Sequence, residues 1–152
     1  MSLSVGELAP DFTLTNHFGS EVTLSSYRGV SPVVLVFFPF AFSGVCTGEL
    51  CELRDSIEMF KAQGVELMGI SIDTKYALAK FAEQEGYDFQ LLADFWPHGE
   101  VAKKYGVFLE DKGFATRGTF VINTDGELVA KFITSPGEAR DLAGYKKALE
   151  LL

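Results

Sequence analysis

Six consecutive apolar residues, Val33-Val34-Leu35-Val36-Phe37-Phe38, constrain this chain more than any other segment. A strand with one wet face alternates apolar and polar side chains. An uninterrupted, β-branched-rich run has no polar face to show, so it reads as a central strand covered on both sides. Pro39 ends it, since proline has no N–H to offer a sheet ladder. Beyond it, Val45, Leu50, Leu53, Ile57 and Phe60 recur at helical spacing, which predicts a helix from Ser43 to about Gln63, with Gly64 as its C-terminal cap. A buried strand that feeds a helix places the helix N-terminus just past the strand's end. Cys46 falls in that first turn. The unpaired N–H groups and the positive dipole end there favour thiolate over thiol. A second cysteine, Cys51, follows five residues later.

The remaining pattern surrounds that unit. Residues 11–14 and 21–24 alternate around the turn-like segment 16–19 and predict a β-hairpin, and 25–29 reads as a short turn or helical loop. A buried strand is expected over 66–72, an amphipathic helix over 75–85 closed by Gly86, a strand over 89–93 and a short helix over 98–105 ending at Gly106. Strands over 118–122 and 127–133 are joined by Asn123-Thr124-Asp125-Gly126, a strong hairpin turn signal, and a closing helix spans 139–152. The order implies an α/β fold, a central mixed β-sheet flanked by helices. A strand, a cysteine-bearing helix, a strand, a helix, then an antiparallel hairpin and a helix make the thioredoxin-like pattern, here with insertions and an N-terminal β-hairpin. The length of 152 residues fits one domain over 1–152.

The formal net charge of −8 argues against nucleic acid and anionic membranes as partners. No apolar stretch is long enough to span a bilayer, and no basic segment followed by an apolar run marks a signal peptide. The expected location is cytoplasmic, where thiols stay reduced and a pair of cysteines is more often catalytic or inert than a staple. Two thiolates supply half of a tetrahedral metal set, and His17 and His98 show no telling spacing to them. There is no glycine-rich phosphate loop and no dinucleotide fingerprint, so no metal or other cofactor is expected.

Pro39-x-x-x-Ser43-x-x-Cys46 resembles the active-site pattern of the peroxiredoxins, usually Pro-x-x-x-Thr-x-x-Cys. Gly6 to Leu14 is similar to that family's N-terminal signature, and Thr116-Arg117-Gly118-Thr119-Phe120-Val121-Ile122 to its later arginine-bearing strand. Phe37-Phe38-Pro39, residues 94–99 and Pro136-Gly137-Glu138 are similar to the alkyl hydroperoxide reductase E subgroup in particular. The Cys-x4-Cys spacing of Cys46 and Cys51 is instead that of the Q-type (bacterioferritin-comigratory) members. The resemblance implies a thiol-dependent peroxidase that reduces hydrogen peroxide and organic hydroperoxides through a Cys46 sulfenic acid. Cys51 or an external thiol would resolve that acid. The reductant would be a thioredoxin- or glutaredoxin-like protein or a low-molecular-weight thiol. Members are commonly dimers, so a homodimer is an open expectation.

The resemblance also assigns roles. Cys46 is the nucleophile. Arg117 supplies fixed positive charge and donors to sulfur and peroxide. Ser43 keeps the hydroxyl of the usual threonine, able to accept and to donate, although a plain helix N-cap is the alternative. Pro39 shields the thiolate, and Glu49, one turn on, would orient Arg117 or else be a solvated helix carboxylate. Phe40, Phe42 and Trp96 would line an apolar mouth, form a subunit contact or pack in the core. His98 reads as a loop or helix-start residue. Two rival functions remain, a redox sensor and a thioredoxin-like disulfide oxidoreductase, the latter expected to carry Cys-x-x-Cys. On one continuous helix, Cys46 and Cys51 would have Cα atoms roughly 8–9 Å apart. A disulfide needs about 4.4–6.8 Å, so their bonding requires the first turns to unwind.

Overall fold

The computed structural model describes residues 3–152. Its elements, in chain order, are β1 (Thr13–Asn16), β2 (Glu21–Thr23), β3 (Val33–Phe37), α1 (Gly44–Asp55), α2 (Ile57–Lys61), β4 (Glu66–Ser71), α3 (Lys75–Glu85), β5 (Gln90–Ala93), α4 (Glu100–Lys104), β6 (Phe108–Leu109), β7 (Phe114–Ala115), β8 (Arg117–Ile122), β9 (Leu128–Thr134) and α5 (Leu142–Leu149). Among the described residues, seven strands form one mixed sheet in the order β2-β1-β5-β4-β3-β8-β9, and β6 and β7 pair separately. The apolar run is the middle of it. β3 lies parallel to β4 and antiparallel to β8, with Phe37 opposite Ile70 on one side and Gly118 on the other.

The absence of a polar face on β3 has the expected cause. Val33, Leu35 and Phe37 join one core with Met68, Ile70, Leu92, Phe120 and Ile122. Val34, Val36 and Phe38 join a second core with Leu50, Leu53, Phe81 and Leu91. Helices α1, α2, α3 and α5 contribute to the second core, while α4, the N-terminal hairpin and the segment before it close the first. Each fully buried Val, Leu or Phe stabilises by about 1.5–3 kcal/mol relative to exposure. A polar substitution anywhere along β3 would therefore face an apolar layer whichever way it pointed.

Several boundaries differ from expectation, each for a local reason. The helix expected to run to about Gln63 breaks at Ser56, whose φ of −110° and ψ of 17° leave the helical region. Its N–H is shared between the carbonyls of Glu52 and Leu53, 3.1 Å each. Serine competes for backbone bonds and weakens helix interiors, and the break lets α2 deliver Phe60 to the core. The last helix starts at Leu142 rather than 139, because the Asp141 side chain accepts from the Ala143 N–H at 3.0 Å and caps it there. The short helix begins at Glu100, after Gly99 turns the chain in a left-handed conformation. The β6–β7 hairpin carries too few residues to show a strand period. α3 spans Lys75–Glu85 with Gly86 at φ 67°, as the cap signal required.

Candidate active site

The site forms where β3 ends and α1 begins. Parallel strands and a helix N-terminus converge there, the usual place for chemistry on such sheets. Ser43 holds the N-cap position of α1, and Thr47 N–H makes the bond back to its carbonyl at 2.8 Å. Cys46 therefore lies in the first turn, among N–H groups that precede the helical ladder. Its side chain is fully buried, as is Pro39 before the loop. The loop is held rather than loose. Ala41 N–H donates to Asp73 Oδ2 at 2.8 Å, and Ser71 Oγ donates to the same oxygen at 2.6 Å. Phe42 adopts φ of 70°, strained for an aromatic residue, and packs on Phe81 with ring centroids 5.0 Å apart.

Arg117 starts β8, one residue beyond the Gly118–Phe37 pair, so the sheet register sets it beside the end of β3. It is 1% exposed. Its Nη2 donates to Cys46 Sγ at 3.1 Å, Nη1 to Glu49 Oε1 at 3.0 Å and Nε to the Pro136 carbonyl at 2.9 Å. Both terminal nitrogens keep an uncommitted N–H. Glu49, one turn after Cys46, is buried, not solvated. Gly118 is required by the close fit: a Cβ there would sit 2.8 Å from Val107 Cγ1.

Arg140, which no sequence pattern singled out, completes the cluster. It is 3% exposed. Its backbone N–H and Nε donate to Glu49 Oε2 at 2.7 and 2.9 Å, and its Nη2 donates to Oε1. Nη1 binds the Gly118 carbonyl at 2.9 Å and Thr119 Oγ1 at 3.2 Å, and Thr119 pairs with the Tyr145 hydroxyl. All four lone-pair directions of Glu49 are thus occupied by arginine donors. Burial opposes ionisation of Glu49, but the hydrogen bonds and charge of Arg140, with the charge of Arg117, outweigh it and hold the carboxyl below its ordinary value. Burial pushes the Tyr145 phenol up to about 12, so it stays a neutral partner. The only sequence cue to Arg140 is its place just after Pro136-Gly137-Glu138; a buried cation needs an anion, and Glu49 is sequence-distant.

Other candidates fall elsewhere. The Ser43 side chain makes no capping hydrogen bond. Phe40 and Phe42 are partly exposed on the loop, with Phe40 against Phe114. Trp96, 79% exposed, instead lines a groove of about 280 Å³ with Tyr76 and Phe95, away from Cys46. His98 Nε2 bonds the Gly113 carbonyl at 2.7 Å and its ring meets Phe108, which makes it part of the β6–β7 turn. Cys51 lies on α1, half-buried, and both cysteines are free thiols. Among the described residues, no three His, Cys, Asp or Glu side chains group to hold a metal ion. None of their helices is long and apolar enough to cross a membrane.

The AhpC/TSA family model matches residues 5–131. The chain belongs to the AhpC/TSA family. It is a thioredoxin-fold peroxiredoxin, a thiol-dependent peroxidase. Alkyl hydroperoxide reductase E of Mycobacterium tuberculosis is 45% identical to this peroxiredoxin over 150 residues, covering 99% of this chain and 98% of the relative. Peroxiredoxin Bcp of Escherichia coli is 34% identical, covering 83% of each. Among solved structures, peroxidoxin BcpB from Mycobacterium tuberculosis superposes with a TM-score of 0.85 at 35% identity, over 98% of this chain and 96% of that one. The two subgroup resemblances noted in the motifs are thus both represented among its relatives.

Proposed function

We propose that Cys46 is the peroxidatic nucleophile and that hydrogen peroxide and organic hydroperoxides are its substrates. The Cys46 thiolate attacks the terminal peroxide oxygen. The S–O bond forms as the O–O bond breaks, the hydroperoxide proton moves to the departing oxygen, which leaves as alcohol or water, and the sulfenate left on Cys46 takes a proton from solvent to become the sulfenic acid. What carries this reading is the Arg117 Nη2 contact to Cys46 Sγ at 3.1 Å, made by a guanidinium that Glu49 and Pro136 lock in place. A donor fixed in a water-poor site stabilises the breaking bond without reorganising. Ser43, whose hydroxyl is not spent on capping, accepts a hydrogen bond from the hydroperoxide O–H and donates one back to the peroxide. Pro39 keeps competing N–H groups and water away.

Cys51 then resolves the sulfenic acid. With residues from Glu49 onward held in place, unwinding of residues 44–48 is enough. Three residues of extended chain span up to about 10 Å, which covers the gap between Cys46 and Cys51 on the helix. A thioredoxin- or glutaredoxin-like protein, or a low-molecular-weight thiol, returns the disulfide to two thiols. Rapid-mixing oxidation rates test the roles. Cys46→Ser should abolish peroxide reduction, while Cys51→Ser should leave the first step nearly intact and block disulfide formation. Equal loss of the first step in both variants would overturn the assignment.

A further inference from the structure

Cys51 sits in a polar niche between α1 and the end of α3. Its Sγ donates to Glu85 Oε1 at 3.4 Å, the last residue of α3, and lies 3.6 Å from the Tyr87 hydroxyl. Both are hydrogen-bond distances for the larger sulfur atom. Tyr87 in turn donates to the Thr47 carbonyl of α1 at 3.3 Å. Arg54 Nη1 ties the same stretch of α1 to the Glu85 carbonyl at 2.6 Å. The half of α1 that carries Cys51 is thus fastened to the end of α3.

From this geometry we infer that Glu85 is the general base of the resolving step, taking the Cys51 proton as Cys51 attacks the Cys46 sulfenic acid. The inference rests on the reading of Cys51 as the resolver. The Cys51 S–H proton passes to the Glu85 carboxylate. The sulfur pair attacks Cys46 Sγ, the S–S bond forms, and the S–O bond breaks. The leaving hydroxide takes the proton back from Glu85 and departs as water. The sulfenic acid is the oxidant, so no other reagent is needed.

The niche holds two hydrogens for three contacts. In the resting state the thiol hydrogen serves Glu85 and the phenol hydrogen serves Thr47. Burial first, then the neighbouring Cys51 and Glu85, push the Tyr87 phenol well up, so it remains a neutral hydroxyl. Once Cys51 gives its proton to Glu85, the Tyr87 hydrogen can turn to the sulfur and stabilise the developing thiolate. The other polar and charged groups facing the niche are Arg54, paired with Asp55 at 3.0 Å, and Gln84, which donates to Glu85 Oε2 at 3.3 Å.

The test separates two rates in the intact protein, sulfenic acid appearance and disulfide appearance, by acid quench and mass spectrometry after one equivalent of hydrogen peroxide. In Glu85→Gln the first rate should be unchanged, which also reports a folded site. The second should fall at least about tenfold at pH 7, and its logarithm should climb with pH at a slope near one as hydroxide replaces the lost base. In Glu85→Ala, added acetate should restore part of the rate. A disulfide rate equal to or faster than wild type, or slower with an unchanged pH profile and no acetate rescue, overturns the role of Glu85 while leaving Cys51 as resolver. Persistent sulfenic acid in the wild type overturns the reading of Cys51, and the role of Glu85 with it.

Discussion

At the scale of single residues, the weight of the proposed chemistry falls on Arg117. Fully ionising a free thiol at neutral pH multiplies its nucleophile concentration only about thirtyfold, and a more acidic thiolate is intrinsically less reactive. Larger accelerations require donors aimed at the breaking O–O bond. Arg117→Met should therefore slow Cys46 oxidation by about 10²–10³. Rate and thiolate fraction measured on the same samples check this. A loss that merely follows the thiolate fraction would remove Arg117 from the transition state. Cys46 was legible from the strand-to-helix turn and Glu49 from its place one helical turn on, whereas Arg117 was named only through the family resemblance, the expected strand beginning at residue 118. Arg140 was legible in neither way. Its importance comes from burial against Glu49, 91 positions away, and no local periodicity carries that.

At the scale of elements, α1 is two objects. Its first five residues begin with Gly44 and end with Gly48, an interior glycine that weakens the helix by roughly 1 kcal/mol, and there is no side-chain cap. From Glu49 onward it is pinned by two arginines, by Arg54 on the Glu85 carbonyl and by the contacts of Cys51 with Glu85 and Tyr87. Hydrogen exchange after stoichiometric oxidation should therefore show the amides of residues 47–52, whose acceptors lie in or before the unwound turn, losing protection while 53–55 keep theirs. Loss over the whole helix would contradict a hinge at Glu49. The strands, α3 and the cysteine-bearing helix start were readable because buried runs, helical spacing and cap residues are local signals. The break at Ser56 and the late start of α5 were not, because apolar spacing continues across both and only tertiary packing and a competing Asp141 cap decide them. The β6–β7 hairpin was missed for the opposite reason, having two residues per strand and no period at all.

At the scale of the whole molecule, the buried Glu49 cluster ties stability to pH. The Glu49 carboxyl is held below its ordinary value near 4.5. A depressed carboxyl stabilises fully above its unfolded value, and that contribution fades as pH falls toward the folded one. Glu49→Gln leaves two guanidiniums buried without their acceptor and should cost about 3–5 kcal/mol at pH 7. Denaturant midpoints should show this gap narrowing as pH falls below about 4.5. Asp94, raised by burial, works in the opposite sense but is common to both proteins and cancels in the comparison. A gap constant with pH would mean that Glu49 acts through shape alone.

The same cluster has a consequence for turnover. Arg117 and Arg140 bring two positive charges into the interior and Glu49 only one negative, so the pocket reaches electroneutrality only while Cys46 is a thiolate. A sulfenic acid is uncharged. In the proposed reaction, protonated sulfenic acid at Cys46 would turn this neutral cluster cationic, at a sulfur carried by a first turn with no side-chain cap. With Cys46 as nucleophile and Cys51 as resolver, as proposed, the chemical step itself removes an electrostatic reason for Cys46 to stay and favours its release toward Cys51.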